Sequence, residues 1–252
     1  ADEKDKSKEN VPPNTIIIDP AGLGFIKGEP NNLFKGAGGA SGAIYDFFSL
    51  RMDLSREPID NPVKEYKKTL SIKTKGMEEG QSVINYLSSF NQYIIHTIGY
   101  NFNNYSLKTK NEAIEMMKGV YYNIFKLYKE QIDNPEFKDY SIRIPLISSA
   151  IFAGKFAGDD MIGISYSAIM ESLREINFTP EQQKYISICL YLNCADGDNG
   201  NTNVKNWITS GKSQYNEFLK IYTERKETET DTKEKTETDT KEKTETDTKE
   251  KT

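Results

Sequence analysis

Residues 34–44 read Phe34-Lys35-Gly36-Ala37-Gly38-Gly39-Ala40-Ser41-Gly42-Ala43-Ile44, a run of small residues between a β-branched stretch and an apolar-periodic one. Upstream, Thr15-Ile16-Ile17-Ile18 is a short strand expected to stop at Asp19-Pro20, since proline cannot donate to a ladder. A loop follows through Gly22, Gly24, Gly28 and Pro30. Downstream, Ser41 stands where it can cap a helix running GAIYDFFSL, with Ile44, Phe47 and Phe48 on one side. Strand, glycine loop and helix in that order form one half of a layered α/β unit. Glycines there let the backbone approach a ligand and aim several N–H groups one way. The helix N-terminus behind them adds partial positive charge, which suits a phosphate. A flexible surface turn has the same composition, so this run has meaning only in context.

The pattern continues outward from that unit. Asp60-Asn61-Pro62 reads as a helix start with proline in the first turn. Residues 81–87 and 93–98 read as two strands separated by a turn. Residues 107–129 form a long amphipathic helix, apolar at Ile114, Met117, Val120, Tyr121, Ile124, Phe125 and Tyr128. Residues 142–147 are a buried strand, 160–175 a helix, 184–192 the last strong strand and 214–222 a closing helix. The order implies a mixed central sheet flanked by helices, a three-layer sandwich. Residues 1–14 are a charged leader ending near Pro12-Pro13, with too few apolar groups to fold. Residues 224–252 carry three copies of TETDTKEK, starting at Thr228, Thr236 and Thr244. That unit has no apolar face to bury and is expected to be disordered. The expected domain therefore spans residues 15–223.

A second segment supplies the context for the glycine run. Arg143-Ile144-Pro145-Leu146-Ile147-Ser148-Ser149-Ala150-Ile151-Phe152-Ala153-Gly154 is a buried strand that breaks into small residues around one aromatic. In open α/β sheets, ligands bind where loops leave the carboxyl ends of strands. Ser148, Ser149 and Ala150 offer unobstructed backbone N–H groups, and Phe152 a flat apolar wall for a sugar or base. The competing reading has Ile151 and Phe152 simply covering the core.

Composition narrows the partners. The chain of 252 residues carries 33 basic and 38 acidic residues, and its mean hydropathy is -0.68. Residues 224–252 hold 11 acidic and 8 basic residues of these, which leaves 27 and 25 in residues 1–223. So balanced a folded part argues against a nucleic-acid partner. The lysines Lys64, Lys67, Lys68, Lys73 and Lys75 read as a solvated helix face. Cys189 and Cys194 make neither a disulfide framework nor a zinc site, and no metal or other cofactor is expected. No apolar run reaches membrane-spanning length. The chain opens at Ala1 without a signal-type apolar core, so a cytoplasmic and a secreted or exported location both stay open. A monomer is the expectation.

Three segments together resemble the macro-domain family. The glycine loop with Ser41-Gly42-Ala43-Ile44 is similar to the family's G-G-G-G-V-x-G-A-I phosphate loop. Tyr93-Ile94-Ile95-His96-Thr97-Ile98-Gly99 is similar to its Y-V-I-H-T-V-G strand. Residues 145–152 resemble its P-x-I-S-T-G-I-Y or P-L-L-S-A-G-I-F loop. All three stand in family order, over about residues 15–195. The resemblance implies binding of ADP-ribose, free or on a protein. It also implies that Gly36, Gly38, Gly39, Ala40 and Ser41 hold one phosphate. Ser148, Ser149, Ala150, Ile151 and Phe152 would then wrap the other phosphate and the distal ribose. His96 is read as a strand residue rather than a general base.

Departures from the family set the expected chemistry. Hydrolytic members carry N-A-A-N where this chain has Asp19-Pro20-Ala21-Gly22. Asp19, Ala21 and Gly22 therefore fall beside the ligand, but Gly22 donates no side-chain hydrogen bond to a ribose. Ser41 occupies a position where one hydrolase branch has an Asp. Asp19 and Ser41 are the candidate catalytic residues, both with blander readings, Asp19 as a turn residue and Ser41 as a helix cap. The strands that usually precede the Asn motif, with an Asp for the adenine, have no counterpart. The reading is ADP-ribose binding without efficient catalysis. An ADP-ribosyl hydrolase and a degenerate scaffold used for protein interaction are the alternatives.

Overall fold

The computed structural model describes residues 14–27, 32–58, 60–149, 151–157 and 159–189. The chain divides into two units, Ala1–Asn193 and Cys194–Thr252, and every element below belongs to the first. The charged leader to residue 13, the closing helix, Cys194 and the repeat tail lie outside the described residues.

The fold is α/β, with a mixed five-stranded sheet flanked by helices on both faces. Its strands are β1 (Thr15–Ala21), β2 (Ser82–Leu87), β3 (Gln92–Ile98), β4 (Ser141–Pro145) and β5 (Ile186–Cys189), in spatial order β2-β3-β1-β4-β5. The β2–β3 pair is antiparallel; β1 runs parallel to β3 and β4, and β4 parallel to β5. The carboxyl ends of β1, β3 and β4 therefore share one edge of the sheet.

Alternation along the central strands divides the interior in two. Ile16 and Ile18 of β1, with Ile95 of β3, face the long helices α4 (Lys110–Ile132) and α5 (Asp159–Ile176). Ile94 and Ile98 of β3, with Ala21, face α2 (Gly39–Phe47) and α3 (Pro62–Lys73). The short helices α1 (Leu23–Ile26) and α6 (Pro180–Gln183) complete the set. Asn61 caps α3 by accepting from the N–H groups of Val63 and Lys64, with Pro62 in the first turn. Thr109 and Glu112 form a reciprocal capping box at the start of α4.

Four expectations need correction. β1 does not stop at Asp19 but continues through Pro20 to Ala21. It pairs with β4 only at Thr15 and Ile16, so beyond them one side carries no ladder and a proline is tolerated there. Ser41 is not the helix cap, because α2 begins at Gly39 and Gly38 occupies the cap position without a side chain. A helical turn, α1, stands inside the loop after β1. Finally, Lys67 does not join a solvated face. It is 3% exposed and its ammonium donates to the Met52 carbonyl at 2.9 Å, with burial pulling its pKa below the ordinary lysine value.

Candidate functional site

The loops after β1, β3 and β4 all leave the same sheet edge, and each is held by contacts to another. Ser41, in the first turn of α2, donates its hydroxyl to the Pro20 carbonyl at 2.9 Å, fastening the helix to the end of β1. As the first turn of a helix requires, the N–H groups of Gly39, Ala40 and Ser41 donate to no described residue. Arg51 donates through Nη2 to the Ala37 carbonyl. In a trans peptide the following N–H points the opposite way, so this bond turns the Gly38 amide away from Arg51. Gly42 makes room for the contact, since a β-carbon there would lie 2.6 Å from Arg51 Nη2 and 2.8 Å from the Ala37 oxygen. Gly36 and Gly39 have φ of 75° and 57°, which other residues adopt only under strain.

The loop after β4 is anchored by its carbonyls. The Phe152 oxygen accepts from the Phe102 N–H at 2.8 Å, and the Ile151 oxygen from Asn103 Nδ2 at 2.9 Å. The peptide N–H groups of Phe152 and Ala153 consequently point away from the 102–103 turn. Ser149 donates its hydroxyl to the Leu146 carbonyl at 2.8 Å, and Ile147 donates its N–H to the Tyr121 hydroxyl at 3.0 Å. Ser148 sits at φ 59°, with a buried hydroxyl that bonds no described residue. It lies against Gly99, where a β-carbon would come within 2.4 Å of its oxygen. Ile151 is 83% exposed and so does not cover the core. Ala150 lies outside the described residues.

The two loops meet. A β-carbon on Gly22, the residue after β1, would lie 3.9 Å from Cζ of Phe152 and 2.9 Å from Cδ2 of Phe25. Among the sequence-derived residues, Gly22, Gly38, Gly39, Ala40, Ser41, Ser149, Ile151 and Phe152 thus gather at the loops of one sheet edge. Gly36 joins them through Phe25, and Ala21 lies buried just below.

Asp19 is different. Its side chain faces the layer under α2 and α3 and has no exposed surface. Oδ2 accepts from the Tyr45 hydroxyl and lies against His96 Nδ1, both at 2.6 Å. On the far side of the imidazole, Nε2 meets the Tyr66 hydroxyl at 2.6 Å. With its proton on Nδ1, His96 donates to Asp19 and accepts from Tyr66, so each of these contacts has one hydrogen. Phe34 stacks on the His96 ring with centroids 5.7 Å apart. Burial, and then the Asp19 charge, push the hydroxyls of Tyr45 and Tyr66 well above their ordinary pKa. Asp19 is therefore a buried member of a hydrogen-bonded chain and neither a turn residue nor an exposed base.

Arg51, Phe25, Tyr45 and Tyr66 escape a sequence reading. Phe25 leaves one trace, an aromatic inside a loop of glycine and proline; the other three have no spacing that ties them to the motifs. Among the described residues no three metal-ligating side chains converge, and no helix is long and apolar enough to cross a membrane.

No protein-family model matches the chain, and no curated protein matches it in sequence. Among solved structures, it is similar to a macrodomain of Oceanobacillus iheyensis with ADP, at 19% identity and a TM-score of 0.48, over 84% of this chain and 86% of that one. A mutant of the Oceanobacillus macrodomain with ADPR shows 19% identity and a TM-score of 0.43, over 85% of this chain and 97% of that one. An alphavirus protein, P23pro-zbd, shows 16% identity and a TM-score of 0.42, over 81% of this chain but only 22% of its own.

Proposed function

We propose that this chain binds ADP-ribose or a related nucleoside diphosphate, free or attached to a protein, through the backbone N–H groups of two loops. The observation that carries the reading is the convergence of those loops, Gly22 and Phe152 meeting at one sheet edge. Both loops present amides that donate to no described residue, and the carbonyls of Ala37, Ile151 and Phe152 are tied back elsewhere. Oriented amides beside a helix N-terminus favour a dianionic group without any lysine or arginine contact. The resemblance of the loop sequences to the macro-domain pattern points the same way.

Catalysis is not part of the proposal. To activate water, Asp19 would have to leave Tyr45 and His96, and it has no exposed surface from which to act. Ser41 spends its proton on the Pro20 carbonyl, and no described histidine or carboxylate bonds its oxygen. Titration calorimetry of the chain with ADP-ribose should give a dissociation constant in the micromolar range, on the order of -8 kcal/mol. Ala40→Glu places a carboxylate in the first turn of α2, where the phosphate is proposed to sit, and should abolish the heat. Ala40 is a better position for this than Gly39, whose positive φ would add strain. Absence of heat at millimolar ligand would sink the proposal, and steady release of ADP-ribose from a modified protein would overturn its non-catalytic part.

A further inference from the structure

The peptide between Ile151 and Phe152 presents one of the amides proposed to hold phosphate, and its own side chain does little to fix it. Ile151 leaves 83% of its surface in solvent, so it does not anchor the loop to the core. The hold comes from the turn after β3. Asn103 Nδ2 donates one hydrogen to the Ile151 carbonyl at 2.9 Å and the other to Asn101 Oδ1 at 2.8 Å. Two acceptors settle which end of this side-chain amide is nitrogen, because its oxygen would meet only lone pairs there. Asn101 is fixed in turn. It caps the turn Phe102–Asn104 by accepting from the Asn103 N–H at 3.2 Å, and its own N–H donates to Glu79 Oε1 at 3.1 Å. Glu79 takes the Tyr105 hydroxyl on its other oxygen. Turn and loop are pressed together, since a β-carbon on Gly154 would lie 3.0 Å from the Phe102 carbonyl carbon and 3.1 Å from the Asn103 nitrogen.

A polar strut thus runs from Glu79 through Asn101 and Asn103 to the back of the ligand loop. In a trans peptide the N–H lies opposite the carbonyl, so the bond from Asn103 to the Ile151 oxygen keeps the Phe152 N–H facing away from the turn. The next peptide is held differently, by the Phe102 N–H on the Phe152 carbonyl at 2.8 Å, a main-chain bond that survives substitution at position 103. Asn103 is therefore the side chain on which the direction of the Phe152 amide depends. An amide free to turn must be ordered when an anion binds, and that ordering lowers the affinity. We propose that Asn103 is a positioning residue for the diphosphate. It touches no ligand but sets the aim of the amide that does, and Glu79 steadies it from behind. This rests on the diphosphate reading above and deepens it.

The test is titration calorimetry of the full chain with ADP-ribose, in the wild type, Asn103→Ala, Asn103→Asp, Asn103→Gln and Glu79→Ala, with a melting curve for each. Asn103→Ala should weaken binding by about tenfold, while its melting temperature falls by no more than a few degrees because the side chain is exposed. Asn103→Asp keeps the shape, loses both donors and should bind no better than the alanine variant. Asn103→Gln keeps both donors and should recover part of the loss. Glu79→Ala should weaken binding by about threefold. Amide correlation spectra separate positioning from general damage. In Asn103→Ala the shift that ADP-ribose induces at the Phe152 amide should shrink, while those at Gly39, Ala40 and Ser41 persist. An affinity unchanged in both Asn103→Ala and Asn103→Asp overturns the inference and leaves the diphosphate reading standing. So does an equal loss of induced shift in both loops, which is what a merely structural role predicts. A wild type that gives no heat overturns the diphosphate reading itself, and the inference with it.

Discussion

At position 19 a carboxylate without exposed surface holds the Tyr45 hydroxyl and His96 on one oxygen, and Oδ1 bonds nothing among the described residues. Burying such a group is costly, and the structure offsets the cost only while both donors stay in place. Asp19→Ala should therefore destabilise the protein by about 3–5 kcal/mol, because it strands two buried donors at once. Tyr45→Phe, which takes one donor from the buried carboxylate and leaves His96 in place, should cost less, about 1.5–3 kcal/mol. Urea unfolding of the two variants measures both; equal losses would contradict this account of the chain of contacts. Little of this was legible beforehand. An aspartate before proline reads as a turn, and positions 19, 45, 66 and 96 share no local spacing. They meet because Asp19 and His96 are register partners on adjacent strands, under helices that bring in the two tyrosines.

Helix α2 and its approach form the element on which binding is proposed to depend, and here sequence and structure agree in kind but differ in detail. A helix after the glycine run was expected, yet it starts at Gly39 rather than behind Ser41. The serine turned out more useful inside the first turn, bonded to Pro20, than at the cap. Arg51 adds what the linear pattern does not contain, a donor from beyond the helix that fixes the Ala37 peptide. Arg51→Ala should weaken ADP-ribose binding by about tenfold, since loop amides lose orientation rather than contact. Its melting temperature should fall by only a few degrees, because the side chain is partly exposed. An unchanged dissociation constant in calorimetry would remove Arg51 from the site. The elements with strong local signals were the easiest to read. The apolar stripe of α4 and the Asn61-Pro62 start of α3 appear close to where the sequence puts them.

Over the whole described unit, one sheet separates two apolar layers, and each layer buries tyrosines. Tyr45 and Tyr66 lie under α2 and α3, and Tyr121 and Tyr128 belong to α4, all at 2% exposure or less. Burial raises all four hydroxyls, Tyr121 to about 12. A folded pKa above the unfolded one means stability is complete below the unfolded value near 10 and is lost as pH climbs toward the folded values. Each of these tyrosines should then cost about 1.4 kcal/mol per pH unit above 10. Urea midpoints measured from pH 8 to 11 should stay level and then fall, with a shallower fall in Tyr66→Phe; a level curve to pH 11 would contradict it. Local pattern was enough to determine that strands and helices alternate, which face of α4 is apolar, and that two loops of small residues follow β1 and β4. Those features are written in neighbours a few positions apart, the range over which propensity and periodicity act. Tertiary structure alone decided that β1 runs through Pro20, that Asp19 faces His96, and that Phe25 stands between the loops. Each depends on which segments lie side by side in the sheet and which side chain takes the space a glycine leaves, and no local pattern records either.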